Sequence, residues 1–336
     1  MNLAERTEVF AKLRIILMNL SLDELDDMAY LAASDNRWFV KKNIEQAITG
    51  IIHLLDPEKM TLWLRDYSFQ SPIISKTVGL ILAGNVPFVG FHDLMCTLIS
   101  GHKAAVKLSS QDTYLMTWMI HQLYEIEPRL KSRIQVREQL KNIDAIIATG
   151  SDNTSRYFEF YFGKYPHIIR KNRTSVAILN GDETSEQLHQ LGHDIFSYFG
   201  LGCRNVSKLL VTRDVNLSRL LDHWQPFDYL QDNFKYNNNY DYNKSILLVN
   251  GVAHLDNGFL LLRESEELIS PISVLYHQQF INQQALAHYL EIHSEKIQCV
   301  VSSSINNNVV NFGNAQLPEI WDYADHIDTL LFLNEL

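Results

Sequence analysis

Cysteine is scarce in this chain of 336 residues: Cys96, Cys203 and Cys299 are its only three, and they lie far apart. An odd number with no paired spacing argues against a disulfide framework and against a zinc site, and it suits a reducing cytoplasm. Long apolar runs are missing too. No stretch approaches the roughly 18 apolar residues that would suggest a helix crossing a bilayer. The polar opening Met1-Asn-Leu-Ala-Glu-Arg is not that of a signal peptide. Positive charge is in deficit. A net charge of −10 argues against broad nucleic-acid binding, which needs a basic footprint, yet leaves room for a local basic pocket around a phosphate. Also absent is Gly-x-Gly-x-x-Gly after a strand, so any dinucleotide must be held by other means.

What is present reads as an ordinary globular protein long enough for two domains, with 46% hydrophobic and 20% charged residues. Residues 1–70 read as helices. Apolar residues recur at helical spacing over 3–20, and Ser21-Leu-Asp-Glu-Leu is an N-cap followed by acids that suit the helix dipole. A further helix over 43–55 ends at Asp56-Pro57. The pattern then alternates. Apolar strands are expected at 76–83, 104–108, 144–148 and 167–170, with helices at 88–100, 112–127 and 151–163 between them. Such alternation predicts a parallel, right-handed, doubly wound sheet whose ligands sit at the carboxyl ends of its strands. Asn85, Lys107, Ser109, Gly150 and Ser151 fall at such ends. A second series follows, with strands at 175–179, 208–212, 246–249, 259–262, 271–276 and 298–302, and helices at 183–199, 217–224 and 282–293. The Asn- and Tyr-rich stretch 232–245 reads as a polar loop.

The chemistry centres on Phe199-Gly-Leu-Gly-Cys203-Arg-Asn-Val-Ser. Gly200 and Gly202, just before the cysteine, leave the backbone around the thiol open to a substrate carbon. The thiolate is the reactive form of cysteine, and a cation such as Arg204 would favour it. Read alone, the run fits a buried structural cysteine beside a turn better than it fits a nucleophile. Asn85 alone fits a turn residue before proline, Lys107 a surface lysine, and Glu267 a solvated charge in Glu264-Ser-Glu-Glu. Cys96 and Cys299 read as core. His92, His102 and His193 lack metal-ligand spacing and read as satisfied polar residues, and no metal site is expected.

Taken in order, Gly84-Asn85-Val86-Pro87-Phe88, then Gly101 to Val106 with Lys107-Leu-Ser-Ser, then Thr149-Gly150-Ser151, then Ser175-Val-Ala-Ile, then Gly200-Leu-Gly-Cys203, then Glu267-Leu-Ile-Ser-Pro271-Ile resembles the aldehyde dehydrogenase superfamily. Within it the chain looks most like the LuxC-type acyl-CoA reductases. The resemblance spans about residues 70–280. It implies an α/β, aldehyde-dehydrogenase-like fold of two doubly wound parallel-sheet domains with an N-terminal helical segment. The expected division is 1–70 helical segment, 71–172 cofactor domain, 173–311 catalytic domain and 312–336 tail. The resemblance makes Cys203 the nucleophile and Asn85 the donor to the developing oxyanion. It puts Lys107 on the adenosine ribose, Gly150 and Ser151 near the nicotinamide and pyrophosphate, Glu267 on the nicotinamide ribose and Ile269 against the ring.

Departures from the superfamily pattern refine this. Alignment through Ser175 puts Arg170, or its neighbours Lys171 and Asn172, where hydrolytic members carry a general-base glutamate. Without that base, transfer to or from a thiol such as coenzyme A is favoured over release of an acid. The basic cluster 170–173 fits either coenzyme phosphates or a solvated turn. Ser110 stands where NAD-preferring members often carry glutamate, which leaves room for a 2′-phosphate beside Lys107 and Ser109 and leans towards NADPH over NADH. The expected activity is reduction of an acyl-CoA, or another acyl thioester, to an aldehyde by a cytoplasmic oxidoreductase. The same resemblance implies an acyl-activating partner enzyme; a homo-oligomer stays open, because the chain is shorter than a typical family member and has less room for an oligomerisation flap. Two other readings remain at this level: an NAD(P)-dependent aldehyde dehydrogenase forming an acid, and a non-catalytic member that docks to the partner.

Overall fold

Helix starts near the N-terminus are encoded in their caps. In the computed structural model, which describes residues 1–69, 74–303 and 309–336, α1 (Leu3–Met18) and α2 (Leu22–Asp35) both begin with a capping box, Asn2 with Glu5 and Ser21 with Glu24. Next come α3 (Lys41–Leu54) and α4 (Pro57–Arg65), the latter capped by Asp56 with proline at its first position. The expected boundary at 70/71 lies outside the described residues.

Alternation then sets in: β1 (Thr77–Ile81), α5 (Phe91–Ile99), β2 (Lys103–Lys107), α6 (Thr113–Ile126), β3 (Ile134–Val136), β4 (Ala145–Thr149), α7 (Asp152–Phe162) and β5 (His167–Arg170). The five strands form one parallel sheet in the order β3-β2-β1-β4-β5. Val78 and Leu80 of β1 and Ala145 to Ala148 of β4 are buried, as strands covered on both faces must be. The three-residue β3 is too short to show a sequence pattern.

The second unit, Arg173–Leu317, holds β6 (Thr174–Leu179), α8 (Ser185–Phe196), β7 (Val206–Val211), α9 (Leu217–His223), α10 (Phe234–Val249), β8 (Leu255–Asp256), β9 (Leu261–Glu264), β10 (Val274–Gln279), α11 (Gln283–Ile292) and β11 (Ile297–Val301). Its sheet runs β11-β6-β7-β10-β9-β8 and is parallel except for the β8–β9 pair. Two expectations fail here. The stretch 232–245 is no loop and 246–249 no strand, because both belong to α10. Asn233 caps that helix by accepting from the N–H groups of Lys235 and Tyr236, and Tyr236, Tyr240 and Leu247 bury one face.

The last 19 residues, Pro318–Leu336 with α12 (Thr329–Asn334), cluster with Met1–Asn172. Trp63 Nε1 donates to Tyr323 Oη at 2.7 Å. His92 and His102 reach the carbonyls of Ile320 and Leu333 at 2.9 and 2.8 Å, so both are satisfied core histidines. Among the described residues no helix is long and apolar enough to cross a membrane.

Candidate active site

In the first sheet the strand order reverses where β1 meets β4, the switch point at which open α/β sheets take their ligands. Asn85 follows β1, Gly150 and Ser151 follow β4, and Lys107 ends β2 with Ser109 and Ser110 just beyond. All six therefore share one edge. Lys107, Ser110 and Ser151 are exposed; Asn85, Ser109 and Gly150 are half-buried. Ser151 accepts from the Thr154 N–H and so opens α7, whose N-terminal dipole faces this edge. Glycine is required twice. A Cβ on Gly84 would lie 2.4 Å from Ser109 Oγ, and one on Gly150 would lie 2.8 Å from Phe158. An edge without side chains at 84 and 150, with a helix N-terminus and Lys107 beside it, fits an anionic dinucleotide.

Two buried side chains shape the Asn85 turn. Asn36 Nδ2 donates to the Gly84 carbonyl at 3.2 Å. The Phe88 N–H donates to Asp112 Oδ2 at 2.9 Å while Phe88 holds a left-handed φ of 58°. Asp112 is 1% exposed, and its Oδ1 has no hydrogen-bond partner. Burial pushes this carboxyl up to about 8, against the Phe88 N–H and with help from the charge of Asp35.

Cys203 sits in the turn between α8 and β7, at the amino end of β7. The thiol is exposed, which removes the reading of a buried structural cysteine, whereas Cys96 and Cys299 are buried as expected. Three successive residues, Tyr198, Phe199 and Gly200, hold φ values of 52°, 57° and 77°. Two of them are not glycine, so the backbone is strained and its surroundings must hold it. Asn205, 2% exposed, does much of that. Its Nδ2 reaches the carbonyls of Asp194, Ile195 and Ser197 at 3.1, 3.3 and 2.9 Å, and its Oδ1 accepts from the Gly202 N–H at 2.8 Å. Fully buried Ser175 donates to the Cys203 carbonyl at 3.1 Å and accepts from the Cys299 N–H at 3.2 Å. Sequence reasoning missed Asn205 and saw Ser175 only as an alignment point. The signal for Asn205 was its place two residues after the thiol.

Arg204 reaches beyond the turn. Its Nε donates to the Ala315 carbonyl. Asp194 on α8 accepts from the N–H groups of Gly313 and Ala315 at 2.7 and 2.9 Å. Burial raises the Asp194 carboxyl to about 7 against those two bonds and the Arg204 charge. Arg204 and Asp194 thus tie the segment 313–315 to the turn.

Glu267 and Ile269 lie between β9 and β10, beside the start of β7. Ser207 Oγ donates to the Leu268 carbonyl at 3.0 Å, and the Leu268 side chain is buried among Val176, Ile178 and Leu210. Leu268 pins the loop while its neighbours stay outside: the Glu267 side chain is 72% exposed and Ile269 48%. Cys203, Glu267 and Ile269 are brought to one end of β7.

Arg170 is no phosphate ligand. It is buried, ion-paired with Asp93, and donates to Thr329 Oγ1 at 2.9 Å. Burial opposes its charge, but Asp93 outweighs that and raises its pKa. Lys171 pairs with Glu159 at 3.4 Å.

Comparison with known proteins bears on the family and the fold. The family model described as acyl-CoA reductase (LuxC) matches residues 12–219, well over half of the chain. No curated protein matches in sequence. Among solved structures, aldehyde dehydrogenase 21 from Physcomitrella patens, solved with its reaction product succinate, superposes with a TM-score of 0.70 at 12% identity, covering 100% of this chain and 84% of its own. The propionaldehyde dehydrogenase of a Clostridium phytofermentans fucose-utilisation microcompartment gives 0.62 at 10% identity, covering 91% and 79%. An indole-3-acetaldehyde dehydrogenase solved with NAD+ gives 0.62 at 12% identity, covering 91% and 73%. The chain belongs to the acyl-CoA reductase (LuxC) family of oxidoreductases, built on the aldehyde dehydrogenase fold.

Proposed function

We propose that this protein reduces an acyl-CoA to an aldehyde with NADPH through an acyl thioester on Cys203. The observation that carries this is an exposed thiol on a strained turn whose backbone is bonded in place by Asn205 and Ser175. The Cys203 thiolate attacks the thioester carbon, a C–S bond forms, and the carbonyl electrons move to oxygen. Asn85, with the Cys203 backbone N–H, donates to that oxyanion; one such neutral donor is worth about 3 kcal/mol in the transition state. Coenzyme A leaves as its thiolate and the acyl group stays on Cys203. The nicotinamide, when bound, supplies the hydride that reduces the acyl carbon. Collapse of the resulting hemithioacetal frees the aldehyde and returns the Cys203 thiolate.

Lys107, Ser109 and Ser110 would hold the adenosine ribose and its 2′-phosphate, Gly150 and Ser151 would lie near the pyrophosphate and nicotinamide, Glu267 would bind the nicotinamide ribose, and Ile269 would pack on the ring. Arg170, or its neighbours Lys171 and Asn172, stands at the aligned position of the general base; none is a carboxylate, which favours thiol transfer over acid formation. The same reading includes a cytoplasmic enzyme, a homo-oligomer and supply of the acyl group by an acyl-activating partner.

The test is covalent labelling with radiolabelled acyl-CoA in the absence of nucleotide. Wild type is expected to retain label and release coenzyme A stoichiometrically, and Cys203→Ala to do neither. A Cys203→Ala protein that still labels and still reduces would sink the mechanism.

A further inference from the structure

The bonds that hold the Glu267 loop start from three side chains in one row across the second sheet. Lys208 of β7 pairs in register with Tyr276 of β10, and Tyr276 with Arg263 of β9. In-register neighbours of parallel strands point to the same face. All three reach the same loop. Lys208 Nζ donates to the Glu266 carbonyl at 3.0 Å and to Gln278 Oε1 at 2.6 Å, and it lies 4.9 Å from the Tyr289 ring centroid. Tyr276 Oη donates to Glu267 Oε2 at 3.1 Å. Arg263 donates to Tyr276 Oη at 3.0 Å and stands 3.9 Å from the Glu267 carboxylate. Lys208 is 0% exposed and Tyr276 4%, so these donors are fixed by packing.

A fully buried lysine needs a reason. Burial pushes this ammonium down to about 8, opposed by the charges of Glu266 and Glu267. A methionine would fill the space without that penalty. What the lysine adds is a grip on the carbonyl immediately before Glu267, while Ser207, one residue earlier in β7, grips the carbonyl immediately after it. Both residues follow Cys203 within five positions. The strand leaving the nucleophile turn therefore brackets the loop from below.

We infer that Lys208, Tyr276 and Arg263 are positioning residues that preset the Glu267 carboxylate for the ribose of the nicotinamide nucleotide. This rests on the assignment of Glu267 above. None of the three touches a reacting atom.

The experiment compares NADPH binding, read by nucleotide fluorescence, with acylation of Cys203 by acyl-CoA alone. Tyr276→Phe removes one hydroxyl and keeps the ring; Lys208→Met keeps the volume. Each is expected to raise the Kd for NADPH about tenfold, the scale of a lost hydrogen bond to a charged group, with acylation unchanged. In a Glu267→Gln background, Tyr276→Phe should add little, because both act through one carboxylate. Equal loss of acylation and NADPH binding, or an unchanged Kd in Tyr276→Phe, would overturn the inference. Tyr276→Phe decides the matter even if Lys208→Met does not fold. A wild type that binds NADPH but takes no acyl label would defeat the proposed mechanism and leave the positioning role standing.

Discussion

Two turns carry the two groups proposed to act on one carbonyl, and they are held in opposite ways. The Cys203 turn is strained at three consecutive residues, yet it is fixed by a neutral amide: Asn205 makes four hydrogen bonds and leaves no charge in the interior. The Asn85 turn is fixed by a buried acid, Asp112, that uses one oxygen and orphans the other. A neutral clamp holds equally at any pH. An acid clamp with a carboxyl raised to about 8 changes its charge within the physiological range. A nucleophile must stay in register for every turnover, and its turn is clamped directly by Asn205, which does not titrate; the acid nearby, Asp194, holds the segment 313–315 instead.

The largest break in this comparison is expected from Asn205→Ala. It would leave the carbonyls at the end of α8 and the Gly202 N–H without their partner in a buried place. The expected loss is on the order of 3 kcal/mol, several bonds at about 1 kcal/mol each. Urea denaturation would read it as a lower midpoint, accompanied by slower labelling of Cys203. A stable variant that labels at the wild-type rate would mean that the strained residues hold the turn unaided.

The alternation of strands and helices made the doubly wound sheets legible in the sequence, and caps such as Ser21 and Ser151 marked helix starts because their chemistry is local, whereas Asp56-Pro57 was read only as a helix end and proved also to cap the start of α4. The elements that escaped depend on distant contacts. Asn and Tyr are weak helix formers, so 234–249 had no propensity to advertise a helix; burial of Tyr236 and Tyr240, four residues apart, overrides that, and Ile246 to Val249 imitates a strand. The motif residues at strand ends were legible because each sits at the end of an apolar run. The row Lys208–Tyr276–Arg263 was not, since it needs the register of β10 against β7, a strand far away in sequence, as well as against β9. Arg170 was seen as a charge near a ligand; only the fold shows it facing Asp93.

Asn36→Ala weakens the other turn by a smaller amount. It removes the donor to the Gly84 carbonyl and the acceptor for the Trp38 N–H. We expect a loss of about 1–2 kcal/mol, the usual range for a buried group left unsatisfied. The functional signature should differ from that of Asn205→Ala: kcat falls with the oxyanion donor displaced, while alkylation of Cys203 by a small neutral reagent proceeds at the wild-type rate. Slowed alkylation in Asn36→Ala would dissolve the distinction between the turns.

The smallest effect is a pH slope. Asp112 has a folded pKa of about 8, well above the ordinary carboxyl value of the unfolded chain. The native state therefore binds the extra proton between these values, and its stabilising contribution, complete in acid, is lost as pH rises through 8. Between pH 7 and pH 8 the loss is on the order of 1 kcal/mol. Asp112→Asn keeps an acceptor for the Phe88 N–H and cannot ionise, so its stability should be flatter over that interval. Chemical denaturation at the two pH values measures both slopes. Parallel slopes for wild type and Asp112→Asn would show that Asp112 is already ionised in the folded protein. The Asn85 turn would then be clamped by a charge, and it would differ still more from the neutral clamp at Cys203.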